Sequence, residues 1–245
     1  MATKVCIEPT AEQATDLVSQ VVKAIVCEAI GKRRTCYVAL AGGTTPHALY
    51  QRLAASGTGG DVPWTDCEIF FGDERDVPLD HVESNYFMAQ RTLLDHLPIE
   101  PGRVHPMRGD ARDLAAAAQE YEDVVRRIVP AEGDKIPRFD IILLGMGGDG
   151  HTASLFPGTS ALGEKDKLVV ANFVPVLNRT RLTFTFPLIN AARNVVLLVT
   201  GDDKIEAVAK LVSGGDIPAA RVTVPDGLLT MVFDSSAARR INAQA

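Results

Sequence analysis

Short runs of apolar residues recur along the chain, each bounded by polar or glycine-rich turns. Five runs have the composition of strands buried on both faces: residues 35–41 (TCYVALA), 67–75 (CEIFFGDER, ending in charge), 139–146 (FDIILLGM), 194–201 (NVVLLVTG) and 228–234 (LLTMVFD). Two further segments, 167–175 and 180–187, predict extended structure, and the second alternates apolar and polar positions. The pattern therefore predicts strands that are distributed along most of the chain.

Segments with helical spacing lie between these strands. Thr10 followed by Gln13 has the spacing of a capping box, and apolar residues recur behind it until Gly31, which predicts the end of that helix. Ser84 and Asp110 are the predicted caps of two later helices, the second of them rich in alanine. The other predicted helices cover residues 47–56, residues 204–212 and a terminal segment capped by Ser235.

Strands that alternate with helices indicate the α/β class, with a three-layer, doubly wound, mostly parallel sheet and helices on both faces. The sequence shows no internal repeat and no linker rich enough in proline, glycine or serine to divide it. We therefore predict a single domain over residues 1–245. The loops at the carboxyl ends of such strands gather along one edge, where we expect the functional site.

Composition narrows the class of partner. Hydrophobic residues make up 46% of the 245 positions, which excludes a disordered chain, and the formal net charge is −6. That charge argues against nucleic acid or an anionic membrane as a partner, so an anionic ligand needs local cations. The first residues lack the apolar run of a signal peptide, and no stretch approaches the roughly 18 apolar residues of a membrane helix.

The four cysteines, Cys6, Cys27, Cys36 and Cys67, show neither paired spacing nor the nearby histidines of a zinc site. We interpret them as reduced, mostly buried thiols of a cytoplasmic protein.

Residues 41–46 (AGGTTP) join a predicted strand to a predicted helix. Gly42 and Gly43 allow close approach of the backbone, and the hydroxyls of Thr44 and Thr45 stand beside the free N–H groups of a helix start. This combination suits a phosphate group. An ordinary tight turn with a threonine cap uses the same residues, so the loop alone does not distinguish a phosphate site from such a turn.

Charged residues end two other strands. Directly after an apolar run, Arg75 is a candidate for holding an anion, and Asp73 for binding sugar hydroxyls or relaying protons. In residues 200–204 (TGDDK), Lys204 stands at a predicted helix start, where its charge opposes the helix dipole unless an anion neutralises it. Both segments also fit solvated surface charge.

Residues 145–158 (GMGGDGHTASLFPG) contain the G-x-G-x-x-G spacing of a dinucleotide-binding loop. Three points oppose that interpretation: Pro157 comes too soon for a full helix, no acid ends a strand about 20 residues on, and Asp149 would face a pyrophosphate. Asp149 and His151 instead indicate an acid–base pair, because histidine titrates near neutral pH and a carboxylate orients it. A histidine that caps a turn, and a metal site of Asp73, Asp149 and His151, stay open as alternatives.

Six motifs in chain order, from Leu40 to Lys204, resemble one family: LAGGTTP, FFGDERDVP, SNYFM, LLGMGGDGHTASLFPG, RLTFTFPLIN and VVLLVTGDDK. Together they closely resemble the 6-phosphogluconolactonase family of the pentose phosphate pathway, over nearly the whole chain. The related glucosamine-6-phosphate deaminases share the glycine-rich loop and the G-x-x-x-D-G-H core. They carry a glutamate in an NEP step after the histidine, where this chain has Leu155, Phe156 and Pro157, so the resemblance favours the lactonase.

The resemblance implies hydrolysis of 6-phospho-D-glucono-1,5-lactone to 6-phosphogluconate, a fold like that of the deaminases, and no required metal or organic cofactor. Ester hydrolysis needs an activated water and a stabilised oxyanion. We assign His151 as the general base on water, with Asp149 orienting it, and N–H groups of residues 147–150 as candidate oxyanion donors. The chain has no G-x-S-x-G, so direct attack by water is favoured over an acyl-enzyme.

The predicted phosphate site combines the first loop with three cations and an acid that faces the sugar: Gly42, Gly43, Thr44, Thr45, Arg75, Arg181, Lys204 and Asp73. Arg179 competes with Arg181 for its role, and the family's R-aliphatic-T pattern favours Arg181.

Two other functions stay open: an isomerase or deaminase on the same fold, and a non-catalytic domain that senses sugar phosphates. The sequence has no helix-turn-helix segment and no basic patch, which argues against the sensor. We expect a small phosphosugar lactone as the partner, without nucleic acid or membrane. The sequence leaves the oligomeric state undetermined, with a monomer as the working expectation.

Overall fold

The computed structural model describes residues 2–57, 62–131 and 136–242. In these ranges the strands are β1 (Ala2–Glu8), β2 (Cys36–Leu40), β3 (Cys67–Phe71), β4 (Asp73–Arg75), β5 (Ile141–Leu144), β6 (Val169–Val174), β7 (Arg179–Phe184), β8 (Asn194–Val199) and β9 (Leu228–Asp234). The helices are α1 (Ala11–Arg33), α2 (Thr44–Gly57), α3 (Asn85–Thr92), α4 (Leu114–Ile128), α5 (Phe186–Asn190), α6 (Ile205–Val212) and α7 (Arg239–Asn242).

The larger sheet of the described residues has the strand order β1-β9-β8-β5-β2-β3, and every neighbouring pair in it is parallel. The chain adds β3 on one side of β2, and then β5, β8 and β9 on the other. The winding direction therefore switches between β2 and β5, which is where ligands bind in doubly wound sheets. The predicted mostly parallel sheet is confirmed.

Side chains of the parallel strands alternate between two separate cores, which explains why the strands are continuous apolar runs. Val38 and Leu40 of β2 pack with α1, α2 and α3 on one face. Ala39 enters the core on the other face, which contains residues of α4 and α6. The three predicted layers are therefore present.

A second, three-stranded antiparallel sheet with the order β4-β7-β6 was not predicted as a unit. Leu182 and Phe184 of β7 are buried in the core that also contains residues of α4. On the other face of β7, Arg181 lies opposite Arg75 of β4, and Thr183 lies opposite Asp73. Residues directly opposite each other share a face of the sheet, so this arrangement brings the charged side chains of the two strands together.

The first helix does not end at Gly31, and that prediction is wrong. α1 continues to Arg33, and Arg34 ends it in the left-handed conformation with φ 66°. A glycine inside a helix costs about 1 kcal/mol relative to alanine, which the packing of a long helix overcomes. The predicted cap Thr10 is confirmed, because its side chain accepts a hydrogen bond from the N–H of Gln13.

Two of the other predicted caps are wrong. α4 is capped by Asp113, whose carboxylate accepts hydrogen bonds from two N–H groups of the first turn, and not by Asp110. Ser235 hydrogen-bonds to the carbonyl of Glu8 and α7 begins only at Arg239. The cap at Ser84 is confirmed.

The cysteine prediction is half right. Cys36 and Cys67 are fully buried and lie opposite each other in β2 and β3. Cys6 is half-buried and Cys27 is exposed. Within the part of the chain that the structure describes, no helix combines the length and apolar character needed to cross a membrane. The extent of the single domain, residues 1–245, stays a prediction.

Candidate active site

A cleft of about 230 Å³ lies at the carboxyl ends of β2, β5 and β8 and extends to the antiparallel sheet. Its lining includes one group of predicted site residues: Gly42, Gly43, Thr44, Thr45, Asp73, Arg75, His151, Arg181 and Lys204. The remaining predicted residue, Asp149, contacts His151. The structure thus brings the four loops together at the switch point of the sheet.

The loop after β2 is held from beneath by Tyr50 of α2. The Tyr50 hydroxyl donates to the carbonyl of Ala41 and accepts from its N–H, both at 2.8 Å. Gly43 then takes φ 103°, a conformation that favours glycine, and α2 begins at Thr44. The N–H groups of the first turn of α2 are therefore presented to the cleft, as a phosphate site requires.

Gly42 must be a glycine because the buried side chain of Asn85 occupies the space of a Cβ atom. The Asn85 amide donates to the backbone carbonyl of Asp73 at 2.9 Å and to its Oδ1 at 3.2 Å. Asn85, the first residue of α3, therefore packs the anion loop against the start of β4.

Asp73 borders the cleft, but both of its carboxylate oxygens already accept hydrogen bonds. Besides the contact with Asn85, Oδ2 accepts a hydrogen bond from the buried hydroxyl of Ser154 at 2.7 Å. The N–H of Ser154 in turn donates to the hydroxyl of Thr183 in β7. The observed contacts of Asp73 are thus with protein groups, and its predicted contact with the sugar stays a prediction.

Glu74 is completely buried and anchors β4 on α3. Its Oε1 accepts hydrogen bonds from the N–H groups of Arg75 and Asn85, and its Oε2 from the Ser84 hydroxyl and the Tyr86 N–H. Burial raises the pKa of Glu74, and these four hydrogen bonds oppose that rise. This acid of the GDER motif is therefore structural and fixes the backbone beside Arg75.

Arg75 and Arg181 bring two guanidinium groups to the same side of the cleft. Arg75 donates to the carbonyl of Glu83 at 2.6 Å. The Nε of Arg181 is buried and has no hydrogen-bond partner within the described ranges. Burial and then the neighbouring charge of Arg75 lower the pKa of Arg181, while Asp73 and Asp76 act in the opposite direction. The site is therefore short of negative charge.

Arg179 and Arg181, the two candidates for one role, differ in their contacts. The Nε of Arg179 contacts both carboxylate oxygens of Asp76, at 2.7 and 2.9 Å, and Arg179 does not line the cleft. Lys204 does line it, at the end of the single turn Asp202–Lys204 that precedes α6, and its Nζ lies 2.8 Å from Asp203. Among the described residues, Arg181 thus has an Nε donor without a partner, and Lys204 has an exposed counter-charge, Asp203.

His151 and Asp149 form a direct pair. The Nδ1 of His151 lies 2.6 Å from Oδ1 of Asp149, and the same oxygen accepts the backbone N–H of His151. A Cβ atom on Gly147 would overlap the imidazole ring, so this glycine is required for the pair to form. With Nδ1 engaged by the carboxylate, Nε2 is the ring nitrogen left for chemistry in the cleft.

The loop after β5 folds on itself and does not lead into a long helix. The N–H of Gly147 donates to the carbonyl of His151, and the N–H of Gly150 to that of Gly147, both at 2.9 Å. These two groups, predicted as oxyanion donors, are therefore already used. Ala153 has φ 47°, an uncommon conformation for a residue with a Cβ atom, of the kind that clusters at functional sites. The absence of an α-helix between β5 and β6 also excludes the dinucleotide loop for these described residues.

No group of three or more potential metal ligands occurs among the His, Cys, Asp and Glu residues of the described ranges. The alternative metal site of Asp73, Asp149 and His151 therefore has no matching cluster there.

Three residues of the site were missed by the analysis of the sequence: Asn85, Ser154 and Phe156. All three lie inside the motifs that carry the resemblance, but their roles depend on contacts across the fold. Phe156 stacks on the ring of His151, and the other two hold Asp73. In the sequence, the only signal for these residues was their position inside the SNYFM and HTASLFPG motifs.

Comparison with known proteins agrees with the motifs. The family model described as glucosamine-6-phosphate isomerases/6-phosphogluconolactonase matches residues 9–231. The 6-phosphogluconolactonase of Synechocystis sp. is 40% identical over 228 residues, which cover 89% of this chain and 92% of that protein.

Two solved structures have the same fold. The 6-phosphogluconolactonase from Trypanosoma brucei has a TM-score of 0.86 at 27% identity and covers 98% of both chains. A monomeric glucosamine-6-phosphate deaminase has a TM-score of 0.80 at 25% identity and covers 98% of this chain and 99% of its own. The predicted similarity to the deaminase fold is confirmed.

Proposed function

We propose, since the chain belongs to the glucosamine-6-phosphate isomerase/6-phosphogluconolactonase family, that it hydrolyses 6-phospho-D-glucono-1,5-lactone to 6-phospho-D-gluconate. It is then a carboxylic ester hydrolase of the pentose phosphate pathway. The observation that carries the proposal is one cleft that joins a carboxylate-held imidazole, His151, to the cations Arg75, Arg181 and Lys204.

The phosphate end of the substrate binds at the first turn of α2. N–H groups and hydroxyls of Thr44 and Thr45 donate to the phosphate oxygens, and the positive end of the helix dipole favours the charge. The guanidinium groups of Arg75 and Arg181 supply further donors, of which Nε of Arg181 has no partner among the described residues. Binding of the dianion relieves their mutual repulsion.

The lactone end reacts at His151. Nε2 removes a proton from a water molecule, whose oxygen attacks the carbonyl carbon C1 and forms a tetrahedral intermediate. The bond between C1 and the ring oxygen then breaks, and His151 returns the proton to that oxygen. The product is the open-chain acid, which ionises. Asp149 holds the tautomer that leaves Nε2 unprotonated and stabilises the imidazolium between the two steps.

The deaminase alternative needs a second acid near the base. In this structure the side chain next to the imidazole at that point of the loop is Phe156, whose ring cannot transfer a proton. A sensing domain does not need a His151–Asp149 pair at all. Both observations favour the hydrolase, while the cytoplasmic location and the absence of nucleic-acid and membrane partners stay predictions.

The test is hydrolysis of freshly generated lactone, with 6-phosphogluconate measured by coupled reduction of NADP above the spontaneous rate, with and without a chelator. We expect wild-type activity in both conditions, and a loss of about 10²–10⁴-fold in kcat for His151→Gln, the range for a general base. His96→Gln is the matched control, because His96 is exposed after α3 and outside the cleft. Near-normal turnover by His151→Gln contradicts the base assignment, and release of ammonia from glucosamine 6-phosphate identifies the alternative.

A further inference from the structure

The imidazole of His151 lies flat against the ring of Phe156. The ring centroids are 3.9 Å apart and the planes are inclined by 20°. By comparison, the rings of His105 and Phe70 are 4.5 Å apart and tilted by 34°. Both His151 and Phe156 line the cleft, so the stack is part of the site and not of the core beneath it.

The backbone of Phe156 is fixed by hydrogen bonds. Its backbone carbonyl accepts hydrogen bonds from the N–H of Thr159 at 3.2 Å and from the Thr159 hydroxyl at 2.8 Å. The buried amide of Asn172 in β6 donates to the same hydroxyl at 3.0 Å. The preceding residue, Leu155, is fully buried. The backbone that carries the phenyl ring is therefore fixed, and the side chain is only 9% exposed.

We propose that Phe156 is a positioning residue that holds the His151 ring in its reactive orientation and stabilises the imidazolium formed during lactone hydrolysis. The inference rests on the proposed function of His151 as general base. Asp149 fixes one edge of the ring, but rotation of the ring plane about that hydrogen bond remains possible. The stack removes this freedom and so directs Nε2 towards the substrate.

The stack also stabilises a positive charge on the imidazole of His151. The face of a phenyl ring is negative, and a cation above it is stabilised. An imidazolium on Phe156 is favoured over a neutral imidazole, and the effect adds to that of Asp149. The charged groups that face the same cleft from the other elements are Asp73 and Arg75 of β4, Arg181 of β7 and Lys204 before α6.

Two substitutions separate the stacking from simple packing. Phe156→Leu keeps an apolar cover of similar size but removes the π face, and Phe156→Tyr keeps both. We expect kcat of Phe156→Leu to fall about tenfold with KM within about twofold, since orientation and not binding is lost. We expect the acid limb of its pH–rate profile to move about half a pH unit lower, because the imidazolium is less stable. Phe156→Tyr should stay within about threefold of wild type.

Phe173→Leu is the control, because Phe173 lies half-exposed in β6 and outside the cleft. The proposal is overturned if Phe156→Leu has the kcat and pH profile of wild type, or if Phe156→Leu and Phe156→Tyr lose activity equally. A second measurement needs no folded variant at position 156. In the NMR spectrum of the wild-type protein, the imidazole protons of His151, assigned by their loss in His151→Gln, should be shifted upfield by the phenyl ring.

Imidazole resonances without that shift overturn the stack even if the enzyme is active. A protein that shows the shift but no lactonase activity overturns the proposed function and leaves the stack in place. The two failures are therefore distinguishable.

Discussion

Arg75 and Arg181 are directly opposite each other in the antiparallel pair β4–β7. Like charges in this position destabilise a sheet, and the partial burial of Arg181 increases the cost, since its Nε has no partner in the part of the chain that the structure describes. The free protein thus holds two like charges opposite each other, where the proposed phosphate dianion would offset their repulsion. This unfavourable pair supports a role of the two arginines in binding the phosphate.

Arg181→Gln should therefore make the ligand-free protein more stable and weaken its binding of the substrate. We expect the free energy of unfolding to rise by about 0.5–1 kcal/mol, because the repulsion across the pair is lost. KM for the lactone should rise at least about tenfold, with loss of a charge-assisted hydrogen bond. Thermal melts with and without 6-phosphogluconate measure both effects, since the product should raise Tm of wild type more than Tm of the variant.

Arg179→Gln is the matched control for this prediction. It removes a guanidinium two residues away on the same strand, but one that Asp76 already neutralises outside the cleft. We expect an unchanged KM. A similar KM rise in both variants would show that the general positive charge of the strand, and not Arg181, attracts the phosphate.

Asp149→Asn should slow the reaction by about 10²-fold with little effect on KM, because the amide can donate to Nδ1 and so favour the tautomer with a proton on Nε2. The double variant Asp149→Asn, His151→Gln should be no slower than His151→Gln alone, since Asp149 acts through the imidazole. Single-turnover rates of the three variants test this. Independent, multiplicative losses would assign Asp149 a separate role in the reaction.

Gly147→Ala should abolish most activity, because a Cβ atom at this position overlaps the imidazole of His151. The ring must move away from Asp149, and the misplacement should cost about 10²-fold in kcat. Gly163→Ala is the control, because a Cβ atom there meets no neighbour within 4 Å. If crystals of Gly147→Ala show the His151–Asp149 contact unchanged while activity is lost, steric displacement is the wrong cause.

Gly31→Ala should stabilise the protein by about 1 kcal/mol, because Gly31 lies inside α1 and a Cβ atom meets nothing there. Chemical denaturation measures the change, and activity should not alter. Arg34→Gly should also stabilise the protein, since Arg34 holds a left-handed conformation that costs a side-chain residue roughly 1 kcal/mol. An unchanged stability of Gly31→Ala would indicate that the helix is frayed before residue 31.

The sequence predicted five of the six strands of the parallel sheet, because each of the five is mostly buried and consists of an apolar run. β1 escaped notice because it is an edge strand, and most of its residues are exposed. The single strand predicted over residues 67–75 is wrong in extent, because the chain leaves the parallel sheet after Phe71 and residues Asp73 to Arg75 form β4, which pairs with β7. No local pattern records such a pairing.

For the site, the residue types and the pairing of Asp149 with His151 were predictable, but the other partners were not. Acid, base and cations stand out in the sequence because few other residues perform that chemistry. The hydrogen bonds of Asp73, by contrast, reach Ser154, which lies 81 positions away in the sequence, and the separation of Arg181 from Arg179 depends on which one Asp76 neutralises. These are properties of three-dimensional packing, so they required the structure.

The hydrogen bond between Ser154 and Asp73 has a consequence for substrate choice. Ser154 follows His151 in one loop, and Asp73 begins the strand that carries Arg75, so this bond sets the spacing between the proposed general base and a proposed phosphate-binding residue. A lactone whose phosphate is one carbon nearer to the carbonyl, or one carbon farther, could reach either group but not both. We therefore expect the cleft to select for the length of the sugar as well as for its charge.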